Sequence, residues 1–354
     1  MTALPADLLA RPAAQSVRLI AQGFLDAAVR AAERLSHGED ADALHDFRVA
    51  LRRLRTTLRA YRPELKDSIP RKVQQRLRAV AAATDRARDA EVALAWLQPL
   101  KPELKPRERV GWRWLVERIE RRRAKGLRRA GSHGWRAFGA VGRRLRNGLA
   151  VYRQPLSPHH SSAVVPFAVV VRTTLLEHAK RLDELLSAVH TAADPEAHRA
   201  RIAAKRLRYL LEALVDLVPV APGLVERLKA LQDGLGELHD VLELEREVRK
   251  GVASVAAKRA SRALEVALVD QPSPAMLRAV RRRDPKAGLV ALARRLRVRR
   301  TALFADLQAN WLGRDGAWGR EIEAVVAPFT SGAPSQPVPV PVPRRRAPRP
   351  VHHA

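Results

Sequence analysis

One histidine and four cations recur at the same offsets in two places along the chain. His45-Asp-Phe-Arg48-Val-Ala-Leu-Arg52-Arg53-Leu-Arg55 returns 153 positions later as His198-Arg-Ala-Arg201-Ile-Ala-Ala-Lys205-Arg206-Leu-Arg208, with six identical residues and two Val/Ile or Arg/Lys exchanges. At 100° per residue, His45, Arg48, Arg52, Arg55 and Arg59 fall within an arc of roughly 80° on a helix. His198, Arg201, Lys205 and Arg208 fill the same arc in the second copy. Stacked like charges cost about 0.2–0.5 kcal/mol per pair on a helix. The first row contains no carboxylate to relieve them, and in the second only Glu212, at the place of Arg59, breaks the series. The rows therefore read as half of an ion pair whose other half is a polyvalent anion. A charge run on one helix is ordinarily a solvated face. The same charges at the same register in two copies argue against that, because solubility needs charge but not charge in fixed places.

Phe47, Leu51, Leu54, Leu58 and Tyr61 form a separate apolar stripe, so the helix carrying the first row is expected to bury its opposite side. The 354 residues are 46% hydrophobic, which allows a substantial core, and carry a net charge of +29. Such a field attracts nucleic acid, anionic lipid or another polyanion. Ser331 to Ala354 holds four Arg and no acid, so the charge is not a tail effect. Arg outnumbers Lys by 55 to 11, which suits two-pronged phosphate recognition but equally follows from a codon bias. Cysteine is absent, which excludes disulfides, thiolate metal sites and a Cys nucleophile. Met1 to Arg11 contains Pro5 and Asp7 and no basic segment, so it does not read as a signal peptide. The longest nearly unbroken apolar run, Ala163 to Val171, is too short to span a bilayer. The expectation is a cytoplasmic protein without a membrane partner.

Apolar spacing of three and four residues predicts helix almost throughout. The first half, residues 1–153, divides into segments near 14–36, 41–62, 67–98 and 106–147, separated by His37-Gly38, Pro63 and the prolines at 99, 102 and 106. Residues 154–166 read as a linker. The second half, 167–328, divides near 167–190, 195–218, 223–269 and 286–312, with a short helix near 317–327. Asp194-Pro195 and Asp284-Pro285 look like helix starts, with Asp as N-cap and Pro at N1. Residues 329–354 read as a disordered Pro/Arg-rich tail. Weaker repeats align Leu77-Arg78-Ala79 with Leu228-Lys229-Ala230, Arg88-Asp89 with His239-Asp240, and Gly111, Arg118 and Arg122 with Gly288, Arg295 and Arg299. An insertion near Gly251 to Asp284 interrupts the register. The fold class expected is all-α: duplicated four-helix bundles related by a pseudo-twofold, with a basic central cleft.

His45-x-x-Arg-Val-Ala-x-x-Arg-Arg-Leu-Arg, its echo from His198 to Tyr209, and Leu-Gln232-Asp-x-Leu-Gly236-x-x-His-Asp240 resemble the CHAD domain, a histidine-containing α-helical family often fused to a triphosphate-tunnel (CYTH) domain. The resemblance covers about residues 10 to 320. It implies two four-helix bundles that bind inorganic polyphosphate in a basic channel without catalysis, with association to polyphosphate or polyester storage granules in some members. Thr84-Asp85 stands where the family has Leu-Gly, and His239 where it has Asn. Glu243-x-Glu245-x-Glu247 lacks the Lys that would complete a tunnel-enzyme signature, so the chain reads as a stand-alone CHAD protein.

On this reading Arg48, Arg52, Arg55, Arg59, Arg201, Lys205 and Arg208 contact phosphate directly, the guanidinium groups through paired hydrogen bonds. Arg53 and Arg206 lie about a quarter turn off the row. They either reach the ligand or pair with Asp89 and Asp240. Arg118, Arg122, Arg295 and Arg299 are second-tier contacts, with a solvated face as the rival reading. Asp89 and Asp240 read as structural acids, their pKa values held down by neighbouring arginines. His45 and His198 end the rows. Neither has the companions of a zinc site, and no nucleophile elbow, P-loop or paired-carboxylate motif occurs, so no metal, cofactor or enzymatic activity is expected.

The alternative partner is nucleic acid. Aromatic residues make up only 4% of the chain, and no helix-turn-helix or zinc-finger pattern occurs. A polyanion favours imidazolium and raises a histidine pKa from about 6.5. Polyphosphate affinity is therefore expected to increase as pH falls from 8 to 6, and the double substitution His45→Ala with His198→Ala to flatten that dependence. An unaltered pH profile in the double variant removes the histidines from the site.

Overall fold

The structure is a computed structural model and describes residues 4–37, 42–150, 165–281, 284–314 and 316–330. Every regular element among the described residues is helical. The first half supplies α1 (Ala13–His37), α2 (Ala43–Ala60), the single turn α3 (Arg62–Leu65), α4 (Arg71–Leu97), α5 (Arg109–Ala130) and α6 (Arg136–Ala150). The second half supplies α7 (Phe167–Ser187), α8 (Pro195–Glu212), α9 (Ala221–Ala267), α10 (Pro274–Arg281), α11 (Lys286–Asn310) and α12 (Ala317–Val326). The proposed linker at 154–166 is described only at Val165 and Pro166, and the proposed tail lies outside the described residues from 331 onward.

Amphipathic patterning explains which face each helix buries. On α2, Phe47, Leu51, Leu54 and Leu58 are at most 1% exposed, at the positions the apolar stripe predicts. On α8, Ala200, Ala203, Ala204, Leu207 and Leu211 are buried. Removing one such leucine side chain costs about 2–5 kcal/mol through lost burial and the cavity left behind. The stripes therefore fix the rotation of both helices about their axes, and with it the direction in which the cations point.

Helices α1, α2, α4 and α6 contact one another in a ring, and α7 is flanked by α8 and α12, with α8 against α9. Both groups feed one continuous apolar cluster, from Leu8 through to Val326, so the halves share a core. A second cluster lies where α4, α5, α9 and α11 pack, around Leu115, Ile119, Leu244, Leu289 and Leu292. Helices at equivalent places in the two halves touch each other: α1 with α7, α2 with α8, α4 with α9, and α5 with α11. That is the pairing a twofold relation between repeated halves produces.

The α5–α11 crossing is the tightest. A Cβ on Gly288 would lie 2.0 Å from the Glu108 carbonyl oxygen and 2.8 Å from the Gly111 Cα, and one on Gly111 would lie 2.4 Å from the Pro285 carbonyl oxygen. Gly111 and Gly288, aligned by the sequence repeat, thus meet backbone to backbone.

Three local expectations change. Residues 106–147 form two helices rather than one, because the chain makes a π-helical turn over Gly131–Trp135 with Gly134 at φ −95°, ψ −106°. α8 ends at Glu212, followed by turns, instead of continuing to 218. Asp194 is the N-cap of α8 and Pro195 its first residue, as expected, with the Asp194 carboxylate accepting hydrogen bonds from the His190 and Thr191 amides of the preceding turn (2.7 Å each). Asp284 accepts from the Lys286 amide at 2.9 Å, and Pro285 itself occupies the N-cap.

The crossing gives a stability test. Gly288→Ala is expected to destabilise the fold by about 1–3 kcal/mol by overpacking. Gly223→Ala, which meets nothing within 4 Å, should be neutral or stabilise slightly. Chemical denaturation of both variants decides it: equal stabilities would show that the crossing has room to spare.

Candidate functional site

Helices α2, α4, α9 and α8 contact in sequence around a ring, α2 with α4, α4 with α9, α9 with α8 and α8 with α2. The two cationic rows face inward on α2 and α8. The clearest sign is Lys205 of α8. Burial, then the charges of Arg52, Arg201, Arg208 and Arg48, push its ammonium down to about 7. Two of those four arginines belong to α2, so the first-copy row acts on the second-copy row across the gap. Farther along, burial and then Arg59 and Arg55 of α2 lower Arg206 of α8. Arg55 is itself lowered by burial, with Arg78, Arg52 and Arg59 adding repulsion against the attraction of Asp85. No carboxylate lies within ion-pair distance of Arg55, Arg59, Arg201, Lys205 or Arg206 among the described residues. The buried Nε of Arg201 also lacks a hydrogen-bond partner.

Not all of the row is open. Arg48, 6% exposed, donates to the Thr84 carbonyl and lies 3.3 Å from Asp85, whose carboxylate is also 3.9 Å from Arg52. Burial and then Arg52 bring the Arg48 guanidinium down to about 10, against the pull of Asp85. The carboxylate that departs from the CHAD pattern at position 85 thus partly neutralises the first copy. Its counterpart in the second copy is Gly236, which supplies no charge; a Cβ added there would lie 3.5 Å from the Arg201 Nε. Arg208 pairs with Glu212 at 3.0 Å and lies over the Tyr209 ring, 4.9 Å from its centroid.

Several assignments are corrected by partners that one helix cannot reveal. Arg53 pairs with Glu212 of the other half at 2.7 Å, and Arg206 sits beside Arg55 and Arg59, so neither binds Asp89 or Asp240. Asp89 and Asp240 have no ion pair among the described residues, and their carboxyls are pushed up, not down. Desolvation is the leading cause for both; Asp85 next raises Asp89, while Arg201 opposes the rise of Asp240, which Asp89 reinforces. The second-tier cations are already satisfied. Arg122 pairs with Glu247 at 2.8 Å, Arg295 with Glu103 at 3.3 Å, and Arg299 with Glu237 at 3.0 Å, while Arg118 lies 5.6 Å from the Trp114 ring centroid. These contacts fasten helices together, with α5 tied to α9 and α9 to α11.

His45 is exposed at the start of α2. His198, at the matching place on α8, has its Nδ1 3.1 Å from the Nδ1 of His239 on α9, so at most one of these two nitrogens carries a proton in that contact. Burial and then Arg201 push both rings down, His239 to about 4. His239, Arg78, Arg88 and Arg246 belong to this neighbourhood and were not assigned from the sequence. Arg78 carried a signal in its alignment with Lys229. Among the described residues no group of three or more His, Cys, Asp or Glu side chains is placed to hold a metal ion.

A family model described as CHAD domain matches residues 19–249. No curated protein matches the sequence. Among solved structures, the chain is similar to the crystal structure of the CHAD domain from the plant Ricinus communis, with 19% identity and a TM-score of 0.54 over 92% of this chain and 97% of that one. It is also similar to PptA from Streptomyces chartreusis, with 18% identity and a TM-score of 0.55 over 85% of this chain and 99% of that one. These two likenesses establish the fold.

The crowding has a stability consequence with a defined sign. Lys205 titrates near 7 in the folded chain and near its ordinary 10.5 when unfolded, so the unfolded state holds more protons between those values and stability rises with pH across that window. Lys205→Met should therefore raise the melting temperature at pH 6–7, by an amount that shrinks toward pH 10. A variant less stable than the parent at pH 6 would mean that Lys205 is paired rather than repelled.

Proposed function

The chain belongs to the CHAD domain family, and we propose that it binds inorganic polyphosphate between the facing rows of α2 and α8, without catalysing its breakdown. The family is associated with polyphosphate binding. The observation that carries the reading for this chain is Lys205, held among four arginines with no acid at ion-pair distance. Burying like charges together is unfavourable unless an anion completes the set. A linear polyanion with evenly spaced charges matches rows whose members recur about one helical turn apart.

The contact set that follows is narrower than the sequence suggested. Arg55, Arg201, Lys205 and Arg206, with no acid at ion-pair distance among the described residues, and the exposed Arg59 supply the contacts, and Arg48, Arg52 and Arg208 contribute while keeping their acids. His45 and His198 end the rows, and at His198 an anion would offset the burial and the Arg201 charge that push its ring down. Arg53, Arg122 and Arg299 tie helices together, Arg295 ties α11 to the segment before α5, and Arg118 lies against Trp114 within α5. We place the protein with polyphosphate granules in the cytoplasm, consistent with no helix among the described residues being long and apolar enough to cross a membrane. Nucleic acid is a secondary ligand by charge alone.

Titration with polyphosphate of defined lengths tests this. Alanine at Arg52, Arg55, Arg201 or Lys205 should each weaken binding about tenfold or more, as expected for a lost charge-assisted hydrogen bond. Alanine at Arg122 or Arg295 should change it less than threefold. Long-chain polyphosphate should displace bound DNA, and DNA should fail to displace polyphosphate. Equal losses across both sets of arginines would reduce the site to a diffuse positive surface.

A further inference from the structure

A cleft of about 540 Å³ opens between the C-terminal half of α4 and α11. Its walls are largely apolar, with Val92, Trp96, Leu100 and Leu296 among them. Its polar rim is charged, with Arg88, Arg295, Glu91 and Asp240. The Arg299 guanidinium lies 5.6 Å from the centroid of the Trp96 ring. That volume falls in the range of sites for small organic ligands. The cleft borders the cationic rows: two of its lining residues, Arg88 and Asp240, lie close enough to act on the charges of Arg48 and of Arg201 and Lys205.

A bare phosphate chain has no use for a tryptophan wall. We propose that the cleft seats the aromatic base of a nucleoside oligophosphate, whose phosphate chain continues past Arg88 onto the facing rows of α2 and α8. The inference rests on the polyanion reading of those rows and names a class of ligand for them: oligophosphates that carry an aromatic end group. The base would stack on Trp96 and the neighbouring apolar wall, as single-stranded bases do on aromatic platforms. The carboxylates of Glu91 and Asp240 offer acceptors to an exocyclic amine, which favours an amino-bearing base. Arg88 stands where the first phosphates leave the cleft, also holding Glu91 at 3.6 Å, while Arg295 stays paired with Glu103 at 3.3 Å on the opposite wall. An acyl chain or an apolar peptide side chain would fill the wall but leave Asp240, which has no ion pair among the described residues, desolvated and unserved.

ATP and inorganic tripolyphosphate carry the same number of phosphates, so their comparison isolates the base. The full-length chain should bind ATP at least tenfold more tightly than tripolyphosphate, with tryptophan quenching on ATP addition only. Trp96→Ala should remove that advantage while leaving tripolyphosphate affinity within twofold, and Trp96→Phe should retain most of it. Arg52→Ala should weaken both ligands alike. If ATP gains nothing over tripolyphosphate in the unsubstituted chain, or if Trp96→Ala leaves the gain intact, the cleft proposal is overturned while the rows keep their role. If neither ligand binds, the cleft proposal is overturned, and titration of the same protein with long-chain polyphosphate decides separately whether the rows keep their role.

Discussion

Repulsion between cations on two facing helices is the constraint around which the rest is organised. Arg48 and Arg52 on α2 press on Lys205 of α8, and Arg55 and Arg59 press on Arg206. Each of these groups would be better solvated if either helix turned by a quarter revolution. What prevents it is the apolar face behind: Phe47, Leu51, Leu54 and Leu58 on one helix, Leu207 and Leu211 on the other, all in one shared cluster. The apolar burial of a few such side chains, about 1.5–3 kcal/mol each, outweighs repulsion of a few tenths per pair on the helix surface. Core packing thus holds an unfavourable charge arrangement in place, and that arrangement becomes favourable only with a polyvalent anion between the rows. A site built this way is preorganised, because the helices need not be rearranged to receive the ligand.

The second apolar cluster serves the same end from a distance. α4 and α9 run from the site into that cluster, where α5 and α11 cross at Gly111 and Gly288. Interhelical ion pairs, Arg122 to Glu247 and Arg300 to Glu245, secure α9 to those helices, and Arg53 to Glu212 joins α2 to α8 directly. Acidic residues are spent mainly on scaffold contacts. Two acids stand on the rows themselves: Asp85 beside Arg48 and Arg52 in the first copy, and Glu212 beside Arg208 in the second.

The helices, the orientation of α2 and α8, and the all-α class could be read from periodicity, because burial patterns are local and repeat every few residues. So could the rows, since their spacing is intrahelical. The partners could not. Which acid lies opposite Arg53 or Arg295 depends on contacts spanning 159 and 192 residues, and no one-helix pattern encodes them. The direction of the Asp89 and Asp240 shifts was misread for a related reason: the sequence shows arginines nearby but not the desolvation or the approach of one acid to the other. The break at Gly134 did leave a trace, two glycines four residues or fewer apart in a helical run, yet glycine inside a helix does not by itself specify a turn of π geometry.

Proton uptake on ligand binding tests the central claim most directly. If the rows are a crowded cationic set awaiting an anion, Lys205 must gain a proton when polyphosphate enters, because the ligand's charge offsets the burial and the repulsion that lower its pKa. Calorimetric titration at pH 8 in buffers of differing ionisation enthalpy reports that directly. The account predicts buffer-dependent heats corresponding to net uptake in the parent chain and little dependence in Lys205→Met. Binding heats that are the same in every buffer would contradict it.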